Sequence, residues 1–258
     1  MKRSLVALSF VFVVLLPVSS VNSAIEDGIV IHYSFDNVDD LTVINKVENN
    51  IDGTLEGDAQ IVPGYFNMGV ALNADLGEAD PGNSFVRVTD TPELSVAKEF
   101  TIASWVNATN FGDYRTIISK TDGGSYAFTV ENAVPTAWVH VNGDYLHVIG
   151  TTELKTDTWY HMTLTFDGVD AIIYLDGEQE AKGTREGNVT TNGSDFMIGA
   201  EPSGKNVDNS YPAWHGILDE FYFYDRVLTK EEINSLIKQA SPVEPVSKLT
   251  VSWGELKK

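Results

Sequence analysis

The 258-residue chain contains no cysteine. Thiol nucleophiles, zinc–thiolate centres and disulfides are therefore all excluded. A chain this long can bury a core without disulfides, and their absence from an exported protein points to a bacterial rather than an animal source. Basic residues are scarce as well: 17 Lys and Arg stand against 37 Asp and Glu, a formal charge of −20. Such a surface repels phosphate backbones, so nucleic acid is excluded as a partner. The excess charge reads as a solvated acidic face. Long apolar runs are scarce too. The main one, 5–18, follows Lys2 and Arg3 and gives way to small and polar residues. It falls short of the roughly 20 residues that a membrane span needs. The pattern predicts a signal peptide over 1–24, cut after Ser23 or Ala24, and no other membrane span. The mature protein is expected to be secreted, extracellular or held at a cell surface, as a monomer.

Catalytic patterns are also missing. The acidic strand motif of β-glucanases, E-x-D-x-x-E, would set alternate carboxylates on one strand face, about 5–5.5 Å apart as retaining hydrolysis requires. Glu56 has Asp58 two residues on but Ile61 at the fifth place, and Glu78 has Asp80 but Asn83. Asp176, Glu178 and Glu180 alternate, but Gly177 puts a turn among them. The chain has no G-x-S-x-G elbow, and His32, His140, His147, His161 and His215 show no H-E-x-x-H spacing. No catalytic residue is assigned.

What is present is β-structure. Runs rich in aromatic and β-branched residues occur at 29–35, 85–89, 100–107, 115–120, 126–130, 137–141, 159–166, 171–175, 196–198 and 217–224. Asn142-Gly143 and Asp176-Gly177 are two-residue hairpin signals, and Asp167-Gly168 marks a third turn. Phe100, Ile102, Ser104 and Val106 share one strand face, with Thr101, Ala103 and Trp105 on the other. Tyr160, Met162, Leu164 and Phe166 alternate with Trp159, His161, Thr163 and Thr165 in the same way. Sheets packed on one side and partly solvated on the other are predicted. One domain is expected over 25–240. Residues 241–258 form a proline-spaced linker and a short tail around Trp253.

The segment 214–233, WHGILDEFYFYDRVLTKEEI, closes that domain. Alternation predicts a strand, and Thr229-x-x-Glu232 is a capping box opening a helix with Ile233, Leu236 and Ile237 on one stripe. Together with IHYSFD at 31–36, GVAL at 69–72, FTIASWV at 100–106, IISK at 117–120, WYHMTLTFDGVDAIIYLDG at 159–177 and MIG at 197–199, it resembles the laminin-G-like, concanavalin A-like jelly-roll domains of exported bacterial proteins. The resemblance implies an all-β fold: a two-sheet antiparallel jelly-roll sandwich with one short C-terminal helix. It further implies that the first and last strands share a sheet, so that Asp36 and Asp219 approach each other.

Such domains mostly bind carbohydrate, other proteins or cell-surface polymers, and often hold one calcium near the junction of the first and last strands. The resemblance therefore implies a structural calcium on Asp36 and Asp219, with Asn49 from the loop 45–52. In that loop Asn45 replaces the family's usual Asp and the glycines are missing. Sugar faces stack on aromatic rings while polar groups fix orientation. Tyr126, Trp138, His140 and Tyr145 from the middle strands, with Tyr211 and Trp214 from the loop 201–216, are the candidates for that role. The expected function is non-catalytic recognition of an extracellular carbohydrate or glycoprotein. A cell-surface adhesive or structural module is the alternative, and a glycoside hydrolase without its usual motif a distant one.

Overall fold

The strand Phe100–Ala108 organises the molecule. Phe100, Ile102 and Val106 enter the main core, and Ser104 on the same face donates its hydroxyl to the carbonyl of Asp219 at 2.9 Å. A computed structural model describes residues 25–74, 83–208 and 211–239. The signal segment 1–24, the linker at 241–247 and the tail with Trp253 lie outside these described residues.

Two antiparallel sheets pack face to face. The first runs in the order Glu178–Thr184, Asp170–Leu175, Trp159–Phe166, Phe100–Ala108, Gly216–Tyr224, Met68–Leu72 and Gln60–Pro63, with Ile29–Tyr33 also paired to Gly216–Tyr224. The first and last long strands therefore share a sheet, as expected. The second runs Asp144–Ile149, Val134–Val141, Tyr126–Glu131, Tyr114–Ser119, Phe196–Ile198, Phe85–Val88, Gly53–Glu56, Thr42–Val43 and Val38–Asp39. Inward residues of both sheets, among them Tyr33, Phe128, Val139, Leu164 and Phe221, form one core. No helix among the described residues is long and apolar enough to cross a membrane.

The local chemistry is where the sequence puts it. Asn142-Gly143 and Asp176-Gly177 both take positive φ at both positions (51° and 87°, 51° and 82°), as a type I′ hairpin requires. The Thr229 N–H donates to Glu232 Oε2 at 2.7 Å and the Glu232 N–H to Thr229 Oγ1 at 3.2 Å, which closes the capping box. The helix Lys230–Gln239 then lays Ile233 and Leu236 on Ala103, Tyr222 and Tyr224.

That docking alters one expectation. The outer face of the first sheet is not solvated at its centre: Thr101, Ala103, Trp105, His161, Thr163 and Thr165 are all buried. The helix covers one half. Over the other half, Tyr65 stacks on Trp105 with ring centroids 3.5 Å apart, and His161 meets Trp105 edge-on at 5.4 Å. The strands Asp144–Ile149 and Glu178–Thr184 lie outside the predicted runs; in the second, Glu178, Gln179, Glu180 and Lys182 leave no apolar alternation.

Burial pushes the His161 imidazole down to about 3. The unfolded chain takes up this proton near pH 6.5 and the folded chain does not. His161 therefore contributes stability at neutral pH that is lost progressively as the pH falls from about 6.5 towards 3. Denaturant midpoints measured at pH 7 and pH 5 are expected to differ less in His161→Gln than in the parent. An equal difference would assign the acid sensitivity to other groups.

Candidate functional site

The outer face of the second sheet carries the site. Strand register aligns Arg87, Met197, Ser119, Ala127, Trp138 and His147 in one row across it. Ser119 and Ala127 are small, so the row dips at its middle. Taller residues stand around the dip: Trp138 and Tyr145 on one side, Tyr114 and Tyr211 on another, with Thr121 and Glu201 at its edge. Together with Ala127 they line a cavity of about 190 Å³.

Each wall is braced. The Trp138 indole N–H donates to Glu131 Oε1 at 2.7 Å, and its ring stacks on His147 with centroids 3.5 Å apart. Tyr145 stands edge-on to Trp138 at 6.0 Å and is backed by His140 at 4.5 Å. Tyr114 and Tyr211 lie 5.6 Å apart. Glu201 is buried, and its two oxygens accept from the Thr121 hydroxyl at 2.6 Å and the Tyr114 hydroxyl at 3.3 Å. Burial raises the Glu201 carboxyl above its ordinary range, and the negative charges of Asp208 and Glu131 add to that shift. The adjoining Lys120 is fully buried. Its ammonium donates to Asp90 at 2.6 Å and to the Ser194 carbonyl at 2.7 Å, which pins the loop behind Thr121.

Of the six aromatic and histidine candidates, Trp138, Tyr145 and Tyr211 meet at this cavity. His140 is buried behind Tyr145 as a support. Tyr126 and Trp214 require correction. Tyr126 is fully buried, packs on Phe100 at 4.6 Å and gives its hydroxyl to the Leu94 carbonyl at 2.9 Å. It alternates with Ala127, so it points to the core while Ala127 floors the cavity. Trp214 is fully buried within the main core. Neither ring presents a face to a ligand. Tyr114, Thr121, Ala127, Glu131, His147 and Glu201 were not singled out from the sequence. Glu201 does open the loop 201–216 flagged there, but placing it needs the strand register.

The Asp36–Asp219 pair belongs to the other sheet, where Gly216–Tyr224 is paired with both Ile29–Tyr33 and Met68–Leu72. Asp219 is fully buried and accepts from the N–H groups of Phe66 at 2.8 Å and Glu220 at 2.7 Å. Asp36 is exposed and accepts from the Met68 N–H at 3.1 Å. One short turn, 64–68, thus caps both acids. A side chain at Gly64 would place its Cβ 2.5 Å from Asp219 Oδ2. Burial pushes Asp219 up to about 7, and the nearby Glu220 and Asp36 charges contribute. Among the described residues neither Asp36 nor Asp219 forms an ion pair with a base. Nor do three or more His, Asp or Glu side chains converge on a metal position.

Asn49 does not join the pair. Its amide oxygen accepts from Asn45 at 3.0 Å and from the Ile51 N–H at 3.1 Å, while its Nδ2 donates to the Val30 carbonyl at 2.7 Å. The carboxamide is consumed in shaping the loop 45–52, with Asn45 in the position of the family's Asp.

The architecture is that of an antiparallel two-sheet sandwich with an aromatic-walled cleft on one outer face. The chain belongs to the concanavalin A-like lectin/glucanases superfamily, whose laminin-G family model matches residues 80–234. Among solved structures it is similar to the binding domain of Paraclostridial Mosquitocidal Protein 1, at TM-score 0.67 and 17% identity over 83% of this chain and 53% of that one. It is also similar to domain 4 of AbnA, a GH43 extracellular arabinanase from Geobacillus stearothermophilus, solved with arabinotriose (TM-score 0.62, 20% identity, 81% and 97% covered). A third is a structure of botulinum neurotoxin type C, whose cell entry is described as dependent on two ganglioside molecules (TM-score 0.65, 16% identity, 85% and 53% covered). The chain spans about half the length of the toxin chains it matches. No curated protein sequence matches it. At these identities the likeness is one of fold.

Proposed function

We propose that the chain is an extracellular, non-catalytic carbohydrate-binding module, and that the cavity between Trp138, Tyr145, Tyr114 and Tyr211 is its binding site. The carrying observation is the cavity itself. Rings at its walls offer stacking surfaces for a sugar, and Thr121 and Glu201 offer the few polar groups that fix orientation. Two of the similar structures concern a domain in complex with arabinotriose and a toxin dependent on gangliosides, which supports the same reading.

We propose further that Asp36 and Asp219 hold a structural calcium. Asp219 is a buried carboxyl that forms no ion pair with a base among the described residues, a costly arrangement for its charged form unless a cation is supplied. Calcium takes hard oxygen ligands; two carboxylates would be supplemented by main-chain carbonyls or water. Bound there, it would lock the turn 64–68 that both acids cap, and with it Tyr65 on Trp105.

A glycan array probed with the purified protein, once with calcium and once with chelator, tests both proposals. Binding to one glycan class supports the module reading; absence of binding in both conditions would move a protein-adhesion role ahead of it. On the metal, calcium is expected to raise the thermal midpoint of the parent by several degrees and to leave Asp219→Asn unmoved. A parent midpoint indifferent to chelator would eliminate the calcium.

A further inference from the structure

The cavity carries a carboxyl group as well as aromatic rings. Among the described residues its lining contains one carboxyl group, Glu201, and no basic side chain. Glu201 makes its two bonds to neutral hydroxyls, so its charge is not compensated by them. Glu131, anchored under the Trp138 indole, and Asp208 both act on Glu201 with negative charge, and Asp122 acts likewise on Tyr145. Around this carboxylate stand an indole and three phenols, whose ring faces are electronegative and attract cations within about 6 Å. A ligand bearing a carboxylate or sulfate would meet the Glu201 carboxyl with no base in the lining to pair with. A neutral sugar would stack but leave Glu201 without its counter-charge. A cationic group would satisfy the rings and the carboxylate together. The volume of about 190 Å³ is below the roughly 300 Å³ at which drug-sized pockets begin. It suits one ring or head group rather than a length of chain.

Resting on the carbohydrate reading above, we propose that this cavity selects a sugar residue with a free amine: an unacylated amino sugar, its ammonium on Glu201 and its ring against the aromatic walls. Glu201 is then the specificity-determining residue, and Trp138 and Tyr145 supply the platform.

The test is calorimetric titration of the whole chain with three short β-1,4-linked oligosaccharides of equal length, built from glucosamine, N-acetylglucosamine or glucose, at physiological salt. The glucosamine oligomer is expected to bind about tenfold or more tightly than the other two. Glu201→Gln, which keeps an acceptor for Thr121 and Tyr114, is expected to erase that preference. Trp138→Ala is expected to weaken the glucosamine oligomer severely. Equal or tighter binding of an acylated or neutral oligomer overturns the amine selectivity and leaves the carbohydrate reading standing. If a preference for glucosamine survives Glu201→Gln, the attraction comes from the acidic surface as a whole and the proposal falls. Binding of none of the three removes the selectivity, and a negative array would remove the carbohydrate reading with it. A short lysine oligomer that binds as well as glucosamine would also overturn the proposal.

Discussion

Trp138→Ala is expected to weaken glycan binding by about 30- to 150-fold, roughly 2–3 kcal/mol, the range of a stacked aromatic anchor. The folded domain should survive. Trp138 is only half-buried, on the outer face of its strand, and its neighbours Val139 and Ala137 carry the core contact. The substitution leaves Glu131 without its indole donor, but Glu131 is itself partly exposed and water can replace that bond. Trp138→Phe should fall between the two, because it keeps a ring but loses the 2.7 Å bond that fixes its orientation. Calorimetry with whichever glycan the array identifies, alongside urea denaturation, separates the two effects. Unchanged affinity in Trp138→Ala would place the binding site elsewhere on the sandwich.

Trp214→Ala should show the converse. Its side chain is fully buried in the main core. Emptying such a site costs about 3–5 kcal/mol in lost burial and residual cavity, a large share of a domain's stability. The denaturation midpoint should fall steeply, while the fraction that remains folded binds glycan as the parent does. Trp214→Phe should cost less. It loses part of the ring, but it also removes a buried indole N–H that finds no acceptor among the described residues. A Trp214→Ala chain of parental stability and impaired binding would reverse the assignment and return Trp214 to the site.

Trp138 and Trp214 show where a sequence reading stops. Both lie near turn chemistry, both were candidates to stack on a sugar, and nothing within a few residues of either distinguishes them. Trp138 alternates with Ala137 and Val139, which establishes only that it lies on the opposite face from them. That this face is the outer one follows from Tyr126, Phe128 and Val130 on the neighbouring strand meeting Phe100 and Phe223 of the other sheet. Trp214 sits in a loop, where periodicity carries no information, and the loop folds inward. Asn49 illustrates a third case: a side chain of the right chemistry for a metal, already engaged by Asn45, Ile51 and Val30.

Whatever depends on near neighbours was determined by the sequence alone. The two-residue periodicity of the strands, the left-handed backbone at Asn142-Gly143 and Asp176-Gly177, and the reciprocal bonds of Thr229 and Glu232 each involve partners no more than a few residues apart. Their energetics are already decided in the chain. The approach of Asp36 to Asp219 came from the resemblance rather than from such rules, and the turn that caps both acids bears it out. The cavity is different. It joins Tyr114, Thr121 and Ala127 to Trp138 and Tyr145, and these to Glu201 and Tyr211. Glu201 lies 80 residues from the Thr121 whose hydroxyl it accepts. Only strand order and register bring such residues together. Those are settled by the burial of a whole core, where shifting a strand by one residue would turn every side chain to the opposite face.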